Sequence, residues 1–144
     1  MALPLALLAL VVIAALVAGG FAAAVLEQRI GRNTLYAAQA AGAAEAGAVA
    51  VVGEWEGHGL GFLAPGDSAM LPAAALPGRT VYSPTVTRLN QELFLVRVAA
   101  VRSDADGGAL ARREVELLVR VADSAIAGGP PVWPLRNRAW VVSP

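Results

Sequence analysis

The sequence has no cysteine, no lysine and one histidine. Those absences exclude disulfide staples, cysteine nucleophiles, Schiff-base lysines and zinc sites built on cysteine. Charge is also scarce: 15% of the residues ionise, against roughly 25% in a typical soluble domain. The 11 basic residues, all arginine, balance 11 acidic ones. A balanced charge excludes a strongly basic nucleic-acid footprint and an acidic solvating tail. The most informative absence is local. From Met1 to Leu26 no side chain is charged or strongly polar, and Glu27 is the first that ionises. The 144 residues suit a single domain of roughly 100–150 residues rather than a multidomain enzyme. Composition therefore divides the chain into a membrane-type segment, 1–26, and a modest domain, 27–144.

As a helix, residues 1–26 would be about 39 Å long, enough to cross a hydrocarbon core of about 30 Å. Three readings compete for this run. Ala22-Ala23-Ala24 resembles a signal-peptide cleavage site, but the apolar run exceeds the usual 7–15 residues and nothing basic precedes it. A plain anchor would be oriented by Arg29 and Arg32, which follow the span, and would place the C-terminal domain in the cytoplasm. The third reading is that the chain is already processed and that a basic leader preceded Met1. Ala14/Ala18, Ala15/Gly19 and Gly20/Ala24 are small residues four apart, a spacing that lets helix backbones approach closely. Leu3, Leu7, Val11 and Leu16 supply bulk, and Pro4 falls in the first turn, where its missing N–H costs little. Gly19-Gly20 is the weakest point of such a helix.

The helix is expected to run on. No proline occurs between Pro4 and Pro65, and the stretch Ala37–Ala50 is dominated by alanine, the best helix former. Residues 2–52 thus read as one helix, apolar all round at first and amphipathic over 27–53, with Gly53, Gly57 and Gly59 as stop signals. Its alanine surface would let a sheet lie close against it. Residues 57–78, rich in Gly and Pro, read as a long irregular connection, and 79–144 as β-rich. Thr80–Leu89 is a strand in which Pro84 marks an edge or a break. Leu93–Arg102 and Arg112–Val121 flank the turn-like Ser103–Gly108. Centring that hairpin between Asp106 and Gly107 pairs Phe94 with Val119, Val96 with Leu117, Val98 with Val115 and Arg97 with Glu116, apolar on apolar and charge on charge. Arg138–Val142 adds an edge strand after the Pro-rich GGPPVWP loop. Three or four antiparallel strands with the helix on one face make an α+β domain.

Candidate chemistry is sparse. Glu54, Glu56 and His58 would share a face and could ligate a metal only if extended; with no second histidine they read as solvated loop residues. Asp104–Gly108 lacks the late glutamate of a calcium loop and reads as a tight turn. Ser68 and Ser83 have no evident base, and Trp55, Trp133 and Trp140 read as core or interface aromatics. No catalytic group, metal or cofactor is expected.

The opening ALPLALLALVVIAALVAG, the EQRIGRN at Glu27–Asn33 and the AAEAG at Ala43–Gly47 resemble the N-terminal half of type IV pilin-like proteins, most closely PilX-like minor pilins and type II secretion pseudopilins. The resemblance covers roughly the first 50 residues; the β-rich half matches only in general architecture. It implies a pilin-like fold, removal of a short basic leader by prepilin peptidase, and N-methylation of the new first residue, here Met1. It also implies an inner-membrane precursor that the pilus or type II secretion machinery extracts into an extracellular helical filament of identical copies. Leu5, Ala14, Ala15, Ala18, Gly19, Gly20 and Ala24 would then lie in the filament core. One departure stands out. Most major pilins have glutamate at the fifth mature position, where this chain has Leu5, and some minor pilins and pseudopilins share that lack. The disulfide loop common in pilins is absent too. The functional expectation is a filament subunit, with a minor pilin or pseudopilin that primes or caps assembly as alternative, and a monomeric membrane-anchored binding module as a third reading.

Overall fold

The computed structural model describes residues 2–121, 132–134 and 140–143. One helix, α1 (Ala2–Gly53), opens the chain. A short 3-10 turn, Leu60–Phe62, follows, and then, among the described residues, seven strands: β1 (Ser68–Met70), β2 (Ala74–Leu76), β3 (Thr80–Arg88), β4 (Leu93–Ser103), β5 (Ala109–Val121), β6 (Val132–Pro134) and β7 (Trp140–Ser143). The fold class is α+β, as the pattern predicts, and the helix reaches one residue beyond the expected 52. The chain separates into two compact units, residues 1–35 and residues 36–144. Hydropathy changes at Glu27, whereas packing begins at Tyr36.

The sheet of the second unit is antiparallel, in the order β1-β3-β4-β5-β6, with β2 also on β3 and β7 also on β5. The β4–β5 ladder has the expected register: Phe94 faces Val119, Val96 faces Leu117, Val98 faces Val115 and Arg97 faces Glu116. Only at Ser103, which faces Ala109, does the pairing slip. The turn is closed by Asp104, whose Oδ1 accepts the Asp106 and Gly108 N–H groups at 3.0 and 2.7 Å, and Gly107 takes the left-handed φ of 88° that this closure requires.

Two expectations need revision. The stretch 57–78 is not an irregular loop throughout: it holds the 3-10 turn, β1 and β2, and both strands pair with β3. The GGPPVWP stretch likewise contains β6, paired with β5. These strands are three residues long and are held by a neighbour's ladder, so alternation had no length over which to register. Pro84 is in β3 at the gap between β1 and β2, and its carbonyl accepts the Leu71 N–H at 3.0 Å. In an antiparallel strand one residue's N–H and C=O share a side, so the missing donor faces the interrupted edge. The expected strand at Arg138–Val142 is β7, Trp140–Ser143; Arg138 lies outside the described residues.

One face of the sheet makes the core. Val86, Phe94, Val96, Val98, Ala100, Val115, Leu117 and Val119 are buried against Ala43, Ala44, Ala48 and Val51 of the helix. The alanine face allows a close approach, and Gly47 sets its limit: a Cβ there would stand 2.6 Å from the Tyr82 ring and 2.9 Å from Val98. Beyond the helix, the buried Trp55 meets Phe94 edge-on at 5.0 Å. The Arg88 guanidinium lies over the Phe94 ring, 5.3 Å from its centroid. Its guanidinium donates to the carbonyls of Gly61, Leu63, Asn90 and Gln91, tying the Leu60–Phe62 turn to the β3–β4 connection. The opposite face of the sheet is polar at its centre, where Arg97 lies between Glu114 and Glu116 at 2.9 and 2.6 Å.

Candidate functional site

The feature with most functional content is the first unit. It is helical because nothing in it breaks a helix except Pro4, tolerated in the first turn. The helix is unbroken through Gly19-Gly20, and a Cβ at either glycine would meet nothing within 4 Å. Large apolar side chains are open to solvent along the whole run, from Leu3 at 76% through Leu16 and Phe21 at 72% to Ile30 at 59%. The helix is long and apolar enough to cross a membrane. In water this surface is strongly unfavourable, because fully burying one Val, Leu, Ile or Phe side chain is worth roughly 1.5–3 kcal/mol.

Ala14, Ala15, Ala18, Gly19, Gly20 and Ala24 are all exposed on this helix. At about 100° per residue they form three separate stripes, spaced roughly 100–140° apart around the circumference. Ala14/Ala18, Ala15/Gly19 and Gly20/Ala24 thus face three different directions. A pairwise helix contact uses one such stripe. Three stripes suit a helix that neighbours approach from several directions. Leu5 is within α1, with only its backbone described, and Met1 lies outside the described residues. Glu27, Arg29 and Arg32, which end the uncharged run, are exposed.

The remaining candidates have local explanations. Glu54, Glu56 and His58 lie in the turns after α1, not on a strand. Glu54 and His58 stand four residues apart with Oε2 and Nε2 at 3.7 Å. Asp104 is committed to its own turn. Ser68 shares a hydrogen bond with Thr87 at 2.8 Å. Among the described residues, no three metal-ligating side chains cluster. Trp55 is a core aromatic, as expected; the side chains of Trp133 and Trp140 lie outside the described residues.

One grouping escaped the sequence. The β4–β5 turn and the Pro77–Arg79 turn sit side by side, with the Ser103 N–H bonded to the Arg79 carbonyl at 3.0 Å. Arg79, Arg102, Arg112 and Arg113 all belong to this end of the sheet. They are dispersed over more than thirty positions, and only the register, which sets Arg102 opposite Ala111 and Arg113 opposite Ala100, would have gathered them. Arg102 donates to Gln39 at 2.9 Å and lies 5.5 Å from the Tyr36 centroid, so this is the end where the chain enters the second unit. Comparison of the chain with known protein families, characterised proteins and solved structures finds no match.

Proposed function

We propose that this protein is a structural subunit of a type IV pilus-like extracellular filament, held in the inner membrane by its apolar helix before assembly. The observation that carries the reading is the bare helix. Residues 3–30 expose Leu, Val, Ile and Phe on every side, next to a unit that has its own core. Lipid covers such a surface before assembly. Outside lipid, a bundle of copies is the cover that the same chain can supply, and its burial would dominate the association energy. The three small-residue stripes support a helix with several neighbours. Folded heads would form the outer layer, and heterologous contacts that do not close would propagate the helix of the filament. The partners are other copies of the chain and the assembly machinery that lifts them from the membrane. The role is non-enzymatic.

A minor pilin or pseudopilin that primes or caps assembly is the second reading, favoured by an apolar run with no acid before Glu27, where most major pilins carry a glutamate. Electron microscopy of sheared, purified filaments tests both. A major subunit would dominate the filaments by mass, and its side chains would fit their density. A priming subunit would be present in trace amount. A chain that remains in the membrane fraction, with no polymer in any preparation, would overturn both and leave the monomeric anchored module.

A further inference from the structure

We infer that the arginine-bearing end of the second unit docks on the anionic phospholipid surface beside the membrane helix, through Arg79, Arg102, Arg112 and Arg113. The inference rests on the membrane-held state of the reading above and is independent of the filament.

The first observation is chain order. The uncharged run ends at Leu26 and the second unit begins at Tyr36. Ten residues span about 15 Å as helix and at most about 35 Å in any conformation. The part of the second unit around Tyr36 is therefore tethered within that reach of the headgroups, and Arg102 stands over Tyr36 itself.

The second observation is charge. Among the described residues, none of these four arginines has a carboxylate partner, whereas Arg97 and Arg120 are each paired with glutamate. Of the two acids in the hairpin turn, Asp104 spends its Oδ1 on two backbone N–H groups and Asp106 is exposed, so the four arginines outnumber the acids of that turn. Arg79 and Arg112 are exposed, and Arg102 and Arg113 half-buried. Arg29 and Arg32, exposed just past the uncharged run, add the same sign in the intervening chain.

The third observation is backbone strain. Arg79 has φ 58°, the only non-glycine residue with positive φ among the described residues. That region is costly for an ordinary L-residue, and glycine or asparagine would fill it at less expense. The turn that strains Arg79 offers its carbonyl to the Ser103 N–H and leaves a long cation exposed at its tip. Guanidinium groups match phosphate oxygens in planar, bidentate geometry. A basic residue close to an anionic leaflet shifts the balance toward docking by about fivefold.

The lack of cysteine allows a clean test. Ala105, exposed at the hairpin tip, is replaced by cysteine and labelled with a donor dye in the full chain. The chain is reconstituted into phosphatidylcholine vesicles, with or without about 30% phosphatidylglycerol, containing an acceptor-labelled lipid. Energy transfer reads how near the tip lies to the bilayer, while the helix holds every sample in the membrane. Transfer is expected to rise with phosphatidylglycerol and to fall in about 0.5 M salt, where the Debye length shrinks to a few ångströms. Arg79→Gln with Arg112→Gln should reduce the docked-to-free ratio by about 25-fold, and Arg79→Lys with Arg112→Lys should restore most of it. Equal transfer in both vesicle types, or transfer indifferent to the glutamine pair in a variant whose circular dichroism is unchanged, overturns the inference. Binding of single-stranded DNA by the detergent-solubilised chain, lost in the glutamine pair and accompanied by no lipid effect, also overturns it and assigns the arginines to nucleic acid. A chain that forms no filament but shows the lipid effect would defeat the filament reading alone.

Discussion

One helix meets two different environments. Over residues 40–51 its inner face is alanine, glycine and valine, and it is buried. Over residues 3–30 it is studded with leucine, valine, isoleucine and phenylalanine, and it is exposed. In an ordinary globular protein the bulk would be on the covered part. The inversion has a physical cause. Where the sheet covers the helix, the sheet supplies the bulk through Phe94, Val96, Val98, Val115, Leu117 and Val119, and the helix must be thin to let it close. Where no sheet comes, the helix carries its own bulk and leaves it open, the surface that lipid and then other copies are proposed to cover.

The largest effect should come from placing a charge on the bare part. Ile13→Asp replaces a side chain that is 61% exposed and so packs on little within the chain. Melting of the second unit, followed by circular dichroism in detergent, should be unchanged. Membrane insertion should become less favourable by about 3–4 kcal/mol, and filaments should disappear from sheared preparations. Normal filament yield from this variant would mean that the bare part is not the assembly element, and the contrast between the two parts would lose its functional meaning.

A second test uses one substitution at two places on the covered part. Gly47→Ala drives a methyl into Tyr82 and Val98, so stability should fall by about 1–3 kcal/mol. Gly42→Ala, five residues earlier, meets nothing within 4 Å, and should stabilise by about 0.5–1 kcal/mol through helix propensity and a stiffer unfolded chain. Denaturant melts of both variants read the difference in sign. Two losses of similar size would show that the sheet does not approach the helix at Gly47 as described.

Much of this was legible in the residues. The helix follows from the alanine content and the long proline-free interval, and the β4–β5 register from the match of Phe94, Val96 and Val98 to Val119, Leu117 and Val115. Pro84 announced the broken edge at which it lies. The three-residue strands at Ser68–Met70 and Ala74–Leu76 were not legible, because their order comes from pairing with β3 rather than from their own pattern. Nor was the role of Gly47, which reads like any other glycine of an alanine-rich helix until Tyr82 is laid against it. Among the candidate core residues, the spacing of Ala14/Ala18, Ala15/Gly19 and Gly20/Ala24 could be read directly; their spread over three sides follows once the helix is continuous.

Arg88 separates the second unit from the first in another way. The bare helix satisfies its backbone within itself, whereas the segment around Leu60–Phe62 borrows its donors from one arginine. Arg88→Ala removes the groups that reach the carbonyls of Gly61, Leu63, Asn90 and Gln91 and uncovers the Phe94 ring. Stability should fall by about 1–2 kcal/mol, and hydrogen exchange should accelerate at Leu63 and Gly66, whose N–H groups bond to the Leu60 and Arg88 carbonyls, while the bare helix is unaffected. Exchange that accelerates equally along the whole chain would refute a local tie.

The smallest effect is expected on the outer face of the sheet. Arg97 is held between Glu116 and Glu114, and its ionisation is shifted upward, first by the hydrogen bond it donates to Glu116, then by the charges of Glu116 and Glu114, against a smaller desolvation effect. A raised arginine keeps its contribution at every pH below its unfolded value and loses it only as pH climbs through the folded one. That window is far above neutrality, so the arginine's charge should impose no pH dependence between about pH 5 and 9. The side chain is open to water, where salt and solvent screen the pair. Arg97→Gln should therefore lower the melting midpoint slightly at low salt and by a vanishing amount at high salt, with the Phe94–Val119 register intact. A large, salt-independent loss would show that this face is covered like the helix side, and that the second unit too has a surface awaiting a partner.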